Sequence, residues 1–322
     1  GVVIADKPLT EYTPLQKETN GEKIITQYDM YTVGEDGVGL LKIDFLGLRN
    51  LTIIQEALRF IKVNQGKTID LSTVPFDDKK TYDLLSSGET TGIFQLESSG
   101  MRRYIKDLKP TTIFDLQAMV ALYRPGPMAN IPEFVRRKHN PSLIKYPDPR
   151  LKEILKESYG VITFQDDVLL TAIEIAGYSW LEADKLRKAI GKKIQSEMKK
   201  QHDKFVSGCV EHGMKKEKAE SIWILFEPFA GYGFNKAHAA GYATIAFRTA
   251  YLKAHFPVYF MTALLTAESR GTTGPVKNEK IAQAVSECKR LNVIVLPPDI
   301  NKSQSDFAIE NKTNIRFGLT AI

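Results

Sequence analysis

Two rhythms of apolar residues divide the chain. In the first 50 positions, "GVVIA", "KIITQY" and "GLLKIDFLG" are short β-branched and apolar runs separated by turn-rich "TNGE" and "GEDG", which predicts a small piece of sheet. From Asn50 the spacing lengthens to that of a helix. In "LTIIQEALRFIKVNQG", Ile53, Ile54, Ala57, Leu58 and Ile61 share one face, Asn50 suits the N-cap and Gly66 the stop. The same reasoning predicts helices over 77–87, 112–123, 166–177, 181–190, 195–212, 217–226, 237–254, 257–268 and 279–291. Near the end, "SDFAIE" and "IRFGL" flank "NKTN" and predict a β-hairpin. The fold class expected is α+β, predominantly α-helical, without internal repeats.

Within "GLLKIDFLG" the strand period places Leu41, Ile43 and Phe45 on one face, expected to be buried, and Lys42 and Asp44 on the other. A carboxylate at a strand end is a rigid ligand for a divalent cation, although on spacing alone the pair fits a solvated strand face better. In "YRPGP", Gly126 is expected at positive φ, and the pre-proline Arg124 is held extended at a helix end. That position suits a phosphate clamp or an ordinary helix stop. "DKLRKAIGKK" brings Arg187, Lys188, Lys192 and Lys193 together around Gly191, a candidate helix-ending residue; such cations suit a polyanion or a helix C-terminus. In "FAGYGFNKAHAAGYA", Asn235 is a credible N-cap. Lys236 and His238 open the next helix, and Tyr242 lies one turn beyond His238. A helix start of this kind, with N–H groups unpaired, cradles phosphate; the alternative is a tightly packed alanine-rich helix.

Composition narrows the classes. The 322 residues are 43% hydrophobic and 25% charged, ordinary for a globular core, and no apolar run is long enough to cross a bilayer. A cytoplasmic protein with no membrane partner is expected. The two cysteines and five histidines show no metal-ligand spacing, and neither a P-loop, a G-x-G-x-x-G fingerprint nor a G-x-S-x-G elbow occurs. Net charge is +6, and positive residues gather in three regions: 100–145, 183–204 and the acid-free stretch 228–267. Gly1 opens directly on an apolar strand and Ile322 closely follows another, so a piece of a longer protein is expected.

Laid in order, "KIDFLGLRNLTII", "DDKKTYDLLSSGETTGIFQLESSGM", "VALYRPGP", "YGVITFQDDV", "LRKAIGKK", "FAGYGFNKAHAAGYA" and "VLPPDIN" resemble the catalytic region of the bacterial C-family replicative DNA polymerases, over essentially the whole chain. The resemblance implies the end of a polymerase beta-like palm over 1–49, helical fingers over 50–270, and the last part of the fingers over 271–322. It implies three aspartates holding two Mg2+ ions, of which Asp44 matches the third, with Lys42 beside it offsetting phosphate charge. The motif carrying the other two aspartates is absent, so this chain alone is expected to be inactive. Arg124, Arg187, Lys188, Lys192 and Lys193 would meet triphosphate or nucleic-acid backbone. Phe234, Asn235, Lys236, His238 and Tyr242 would line the nucleotide pocket. The implied partners are dNTP and primer–template DNA, and in the longer protein a sliding clamp, a proofreading exonuclease and a clamp loader. The reading set against this is a non-catalytic, sequence-independent nucleic-acid-binding module.

Overall fold

The computed structural model describes residues 1–34, 37–192, 195–226, 233–271 and 273–322. The described residues fall into two units, Gly1–Arg49 and Asn50–Ile322.

The first unit holds two antiparallel two-stranded ladders. β1 (Val2–Ile4) pairs with β4 (Leu41–Ile43), with Val3 opposite Lys42, and β2 (Leu15–Lys17) pairs with β3 (Ile24–Thr26). The strand at β2 is not among the predicted ones. The expected buried face does not form: among the described residues of this unit no second layer packs on the β1–β4 ladder. Leu41 is 60% exposed, and Phe45, beyond the strand, is 75% exposed.

The second unit is helical. Its α-helices are α1 (Arg49–Gln65), α2 (Lys79–Ser86), α3 (Ser99–Leu108), α4 (Ile113–Leu122), α5 (Ile131–His139) and α6 (Lys152–Leu155). There follow α7 (Gln165–Ala176), α8 (Trp180–Lys192), α9 (Gln195–Glu211) and α10 (Lys216–Ile224). Last come α11 (Lys236–His255), α12 (Pro257–Gly271) and α13 (Gly274–Arg290). The chain closes on a three-stranded sheet in which β7 (Asn314–Arg316) lies between β5 (Ile294–Leu296), parallel, and β6 (Ala308–Ile309), antiparallel. The expected hairpin is the β6–β7 pair.

Three apolar clusters organise these helices. One joins α6 to α10 around Phe205, Trp223 and Phe226. A second packs the apolar stripe of α1 on α12, α13 and the sheet. The third gathers α2, α3, α4 and α5 around α11. In α11 the side chains at the contact are small: Ala239, Ala243, Ala246 and Ala250 recur at helical spacing and are all fully buried. Alanines there let the backbone of α4 approach closely, and α4 itself is buried along almost its whole length.

One cation is sealed into this core. Lys253 of α11 is 0% exposed; its Nζ donates to the carbonyls of Glu89, at 2.6 Å, and Thr91, at 2.9 Å, and to the Glu287 carboxylate of α13. Arg290 bridges Glu287 and Glu89, so the network is closed by opposite charges. Burial brings the Lys253 ammonium down to about 8, which still leaves it protonated at neutral pH. Lys253→Met should therefore lower the unfolding free energy by about 3 kcal/mol, because it strands a buried carboxylate and two carbonyls. Adding Glu287→Gln should recover part of the loss. Urea melts of the single and double variants measure both, and a cost under about 1 kcal/mol for Lys253→Met would show the network to be unimportant.

Candidate nucleotide and nucleic-acid site

The start of α11 is where the motif segments of the second unit converge. Asn235 caps it, its side chain accepting from the His238 N–H at 2.8 Å. The N–H of Lys236, in the first position of the helix, donates to the Asp166 carboxylate of α7 at 2.8 Å. The expected open phosphate cradle is thus largely filled by the protein's own oxygens. The reason is electrostatic: the N-terminal ends of α7 and α11 meet, and two positive dipole ends need negative charge between them. "QDDV" supplies it. Asp166 serves α11, while Asp167 accepts from the Thr163 N–H at 2.8 Å and the Phe164 N–H at 2.9 Å. Two further bonds tie the segments together: the Gln165 N–H donates to the Phe234 carbonyl at 2.9 Å, and Gln165 Nε2 to that of Gly233 at 2.6 Å. A Cβ at Gly233 would run into the Gln165 side chain, so this approach needs glycine.

Beside this junction lies an aromatic series. The Phe94 and Tyr242 rings are 5.0 Å apart, Tyr242 and His238 4.1 Å, and His238 and Phe234 5.2 Å. Arg124 ends the series, its guanidinium 4.0 Å from the Phe234 ring centre. The Arg124 backbone N–H bonds back to the Leu122 carbonyl at 2.7 Å across Tyr123, and Gly126 takes φ 98°, the positive value expected of it. Phe234 is 7% exposed and its cluster includes Val120, Ala121, Phe164 and Ala239, whereas the His238 side chain is open to solvent. Phe94, Phe164 and Asp166 were not anticipated; the acid pair opening a helix in "TFQDDV" was the available signal for Asp166.

The structure sorts the anticipated cations. Among the described residues Arg124 makes no ion pair, and it sits half-buried at the stack. Lys236 instead faces Glu157 at 3.0 Å, and its ammonium lies near the Phe164 ring. Arg187 and Lys188 both reach Asp184, at 2.8 and 3.5 Å. Arg187 also walls a cavity of about 20 Å3 with Gln165 and Gly233, which places it at the same junction. Gly191 does not end its helix: α8 continues to Lys192. Lys193 and the side chain of Lys192 lie outside the described residues, as do Gly231 and Tyr232. Three cations of the acid-free stretch 228–267 meet carboxylates from elsewhere in the fold, Lys236 with Glu157, Lys253 with Glu287 and His255 with Asp78.

In the first unit Asp44 lies just past β4 and is 57% exposed, 3.9 Å from Lys42. One exposed carboxylate beside a lysine does not by itself fit a pair of divalent ions. Among the described residues no three His, Cys, Asp or Glu side chains form a metal-binding group.

Residues 50–213 match the bacterial DNA polymerase III alpha subunit finger domain, and residues 1–47 the bacterial DNA polymerase III alpha NTPase domain. The chain belongs to the bacterial DNA polymerase III alpha subunit family. It is 45% identical over 327 residues to the DNA polymerase III subunit alpha of Thermus aquaticus, covering 100% of this chain and 26% of that protein. The subunit of Bacillus subtilis is 45% identical over 323 residues, with 100% and 28% covered, and that of Pseudomonas aeruginosa 42% over 333 residues, with 100% and 28%. The chain therefore spans about a quarter of the length of the curated relatives it matches. Residues 292–322 match a helix-hairpin-helix motif; here they form β5, β6, β7 and a closing 3-10 turn. Among the described residues no helix of this family member is long and apolar enough to cross a membrane.

Burial pushes the Asp167 carboxyl up from 3.8 to about 6. The folded chain then holds this proton more tightly than the unfolded one, so the group's contribution makes stability fall as pH rises between about 4 and 6. Asp167→Asn should abolish that component. Relative to the parent chain, the variant should gain about 2 kcal/mol between pH 4.5 and 6.5 in urea melts, and parallel pH profiles would contradict the assignment.

Proposed function

We propose that this chain is the fingers, with the adjoining end of the palm, of a DNA-directed DNA polymerase subunit, and that the stack ending in Arg124 receives the nucleotide. The observation that carries the reading is the sorting of charges. Arg187, Lys188 and Lys236 are committed to carboxylates, while among the described residues Arg124 makes no ion pair and holds its guanidinium over the Phe234 ring. A guanidinium held in this way offers a planar fork of donors to phosphate oxygens. The exposed His238 ring and the half-buried Tyr242 ring beside it offer aromatic surface on which a base can stack. Asn235 acts as a helix cap, and Lys236, held by Glu157, is a secondary contributor. Arg187, which walls the cavity at the same junction, and Lys188 next to it in sequence would meet a nucleic-acid backbone.

Asp44 is assigned as one Mg2+ ligand of a centre completed by residues this chain does not contain, with Lys42 as its charge partner. The sliding clamp, exonuclease and clamp loader are partners of the longer protein, and no surface described above is assigned to them.

In a full-length alpha subunit carrying these residues, Arg124→Ala should raise the dNTP KM at least about tenfold, as expected for loss of a charge-assisted phosphate contact. Lys236→Ala should change it less than about threefold. Asp44→Asn should abolish incorporation while DNA binding persists. Steady-state primer extension reads all three, and an unchanged KM for Arg124→Ala removes the clamp from the site.

A further inference from the structure

The loop 89–97 ends the aromatic series opposite Arg124, and its backbone is unusual. Four non-glycine residues have positive φ among the described residues: Gln95, Lys109, Tyr159 and Asn292. Lys109 and Tyr159 close helical segments as C-caps, and Asn292 follows the end of α13, places where a left-handed residue is expected. Gln95, at φ 62°, ends no helix. A turn that needs only this conformation is best served by glycine, so glutamine keeps a side chain here at the expense of strain.

The rest of the loop is fixed with unusual thoroughness. Ile93 and Leu96 are 0% exposed and Phe94 7%, while Gln95 between them is exposed. Thr90 Oγ1 donates to the Leu96 carbonyl at 2.6 Å, the Phe94 N–H to Thr249 Oγ1 at 3.3 Å, and the buried Lys253 ammonium grips the carbonyls of Glu89 and Thr91. The loop therefore cannot relax its strain by moving. Among the described residues the Gln95 amide has no hydrogen-bond partner, and its neighbour Phe94 touches Tyr242.

We infer that Gln95 is a recognition residue for the edge of a nucleobase, presented beside the Tyr242–His238 stack by the loop that Lys253 locks. A carboxamide carries both a donor and an acceptor, which is what a base edge offers in return. The inference rests on the reading of the stack as a nucleotide site. The base can belong to the incoming nucleotide or to the template strand, and the two are separable by measurement.

Gln95→Gly is the informative variant, because it relieves the strain while removing the amide. In this chain it should leave the melting temperature unchanged or raise it by about 2 °C. In a full-length subunit carrying it, either the dNTP KM at saturating primer–template or the primer–template Kd without nucleotide should rise at least fivefold, and which one moves identifies the base. Gln95→Ala, which keeps the strain, should show the same loss. If both constants stay within twofold for both variants while Arg124→Ala weakens nucleotide binding, the role of Gln95 is overturned and the stack survives; if Arg124→Ala is silent as well, both readings fall.

Discussion

The close packing of α4 on the alanine stripe of α11 is the constraint on which the rest of the second unit depends. Ala239, Ala243, Ala246 and Ala250 remove the bulk that would hold the two backbones apart. Because they do, the end of α4 falls beside the start of α11, and the Arg124 guanidinium comes to lie over the Phe234 ring. The same helix carries His238 and Tyr242 near its start and Lys253 in its last turn, so one element sets both the stack and the lock on the loop that continues it. A larger side chain at Ala243 or Ala246 would therefore separate groups that touch no part of the alanine itself.

Around this contact several buried or dipole-facing positive groups receive a carboxylate, most of them from another segment, while the Nε of Arg248 is buried without a hydrogen-bond partner among the described residues. Asp166 and Asp167 fill the space between the starts of α7 and α11. Glu157, Glu287 and Asp78 answer Lys236, Lys253 and His255. A stretch of 40 residues without an acid is thus locally, not globally, positive. The distinction matters for function: among the described residues, Arg124 differs from Lys236, Arg187 and Lys188 in making no ion pair.

Long helices with an apolar face were legible because burial imposes a 3.6-residue period on the residues themselves. α1 shows it in Ile53, Ile54, Ala57 and Ile61, and the caps at Thr112 and Asn235 mark where α4 and α11 begin. α3 and α5 were missed for local reasons. α3 opens on Ser98, Ser99 and Gly100, residues that favour loops, and α5 takes Pro132 into its own first turn just after the Pro-Gly-Pro turn. Gly191 inside α8 shows the converse, a residue that often ends helices tolerated within one. In the site, Arg124, Phe234, His238 and Tyr242 were legible as motif residues. Their neutralised companions were not, since Lys236 and Glu157 or Lys253 and Glu287 are partners only through the fold. The exposed apolar face of β4 was equally illegible, because whether a face is covered depends on what stacks on it.

Covalent mapping of the bound nucleotide tests the central claim most directly. A full-length alpha subunit carrying this sequence, irradiated with a base-azido dNTP on primer–template and digested, should yield labelled peptides containing His238 and Tyr242, or Arg124. Saturation by the unmodified dNTP should suppress the label. Suppressible labelling confined to peptides that contain neither α11 nor the Arg124 turn would contradict the account.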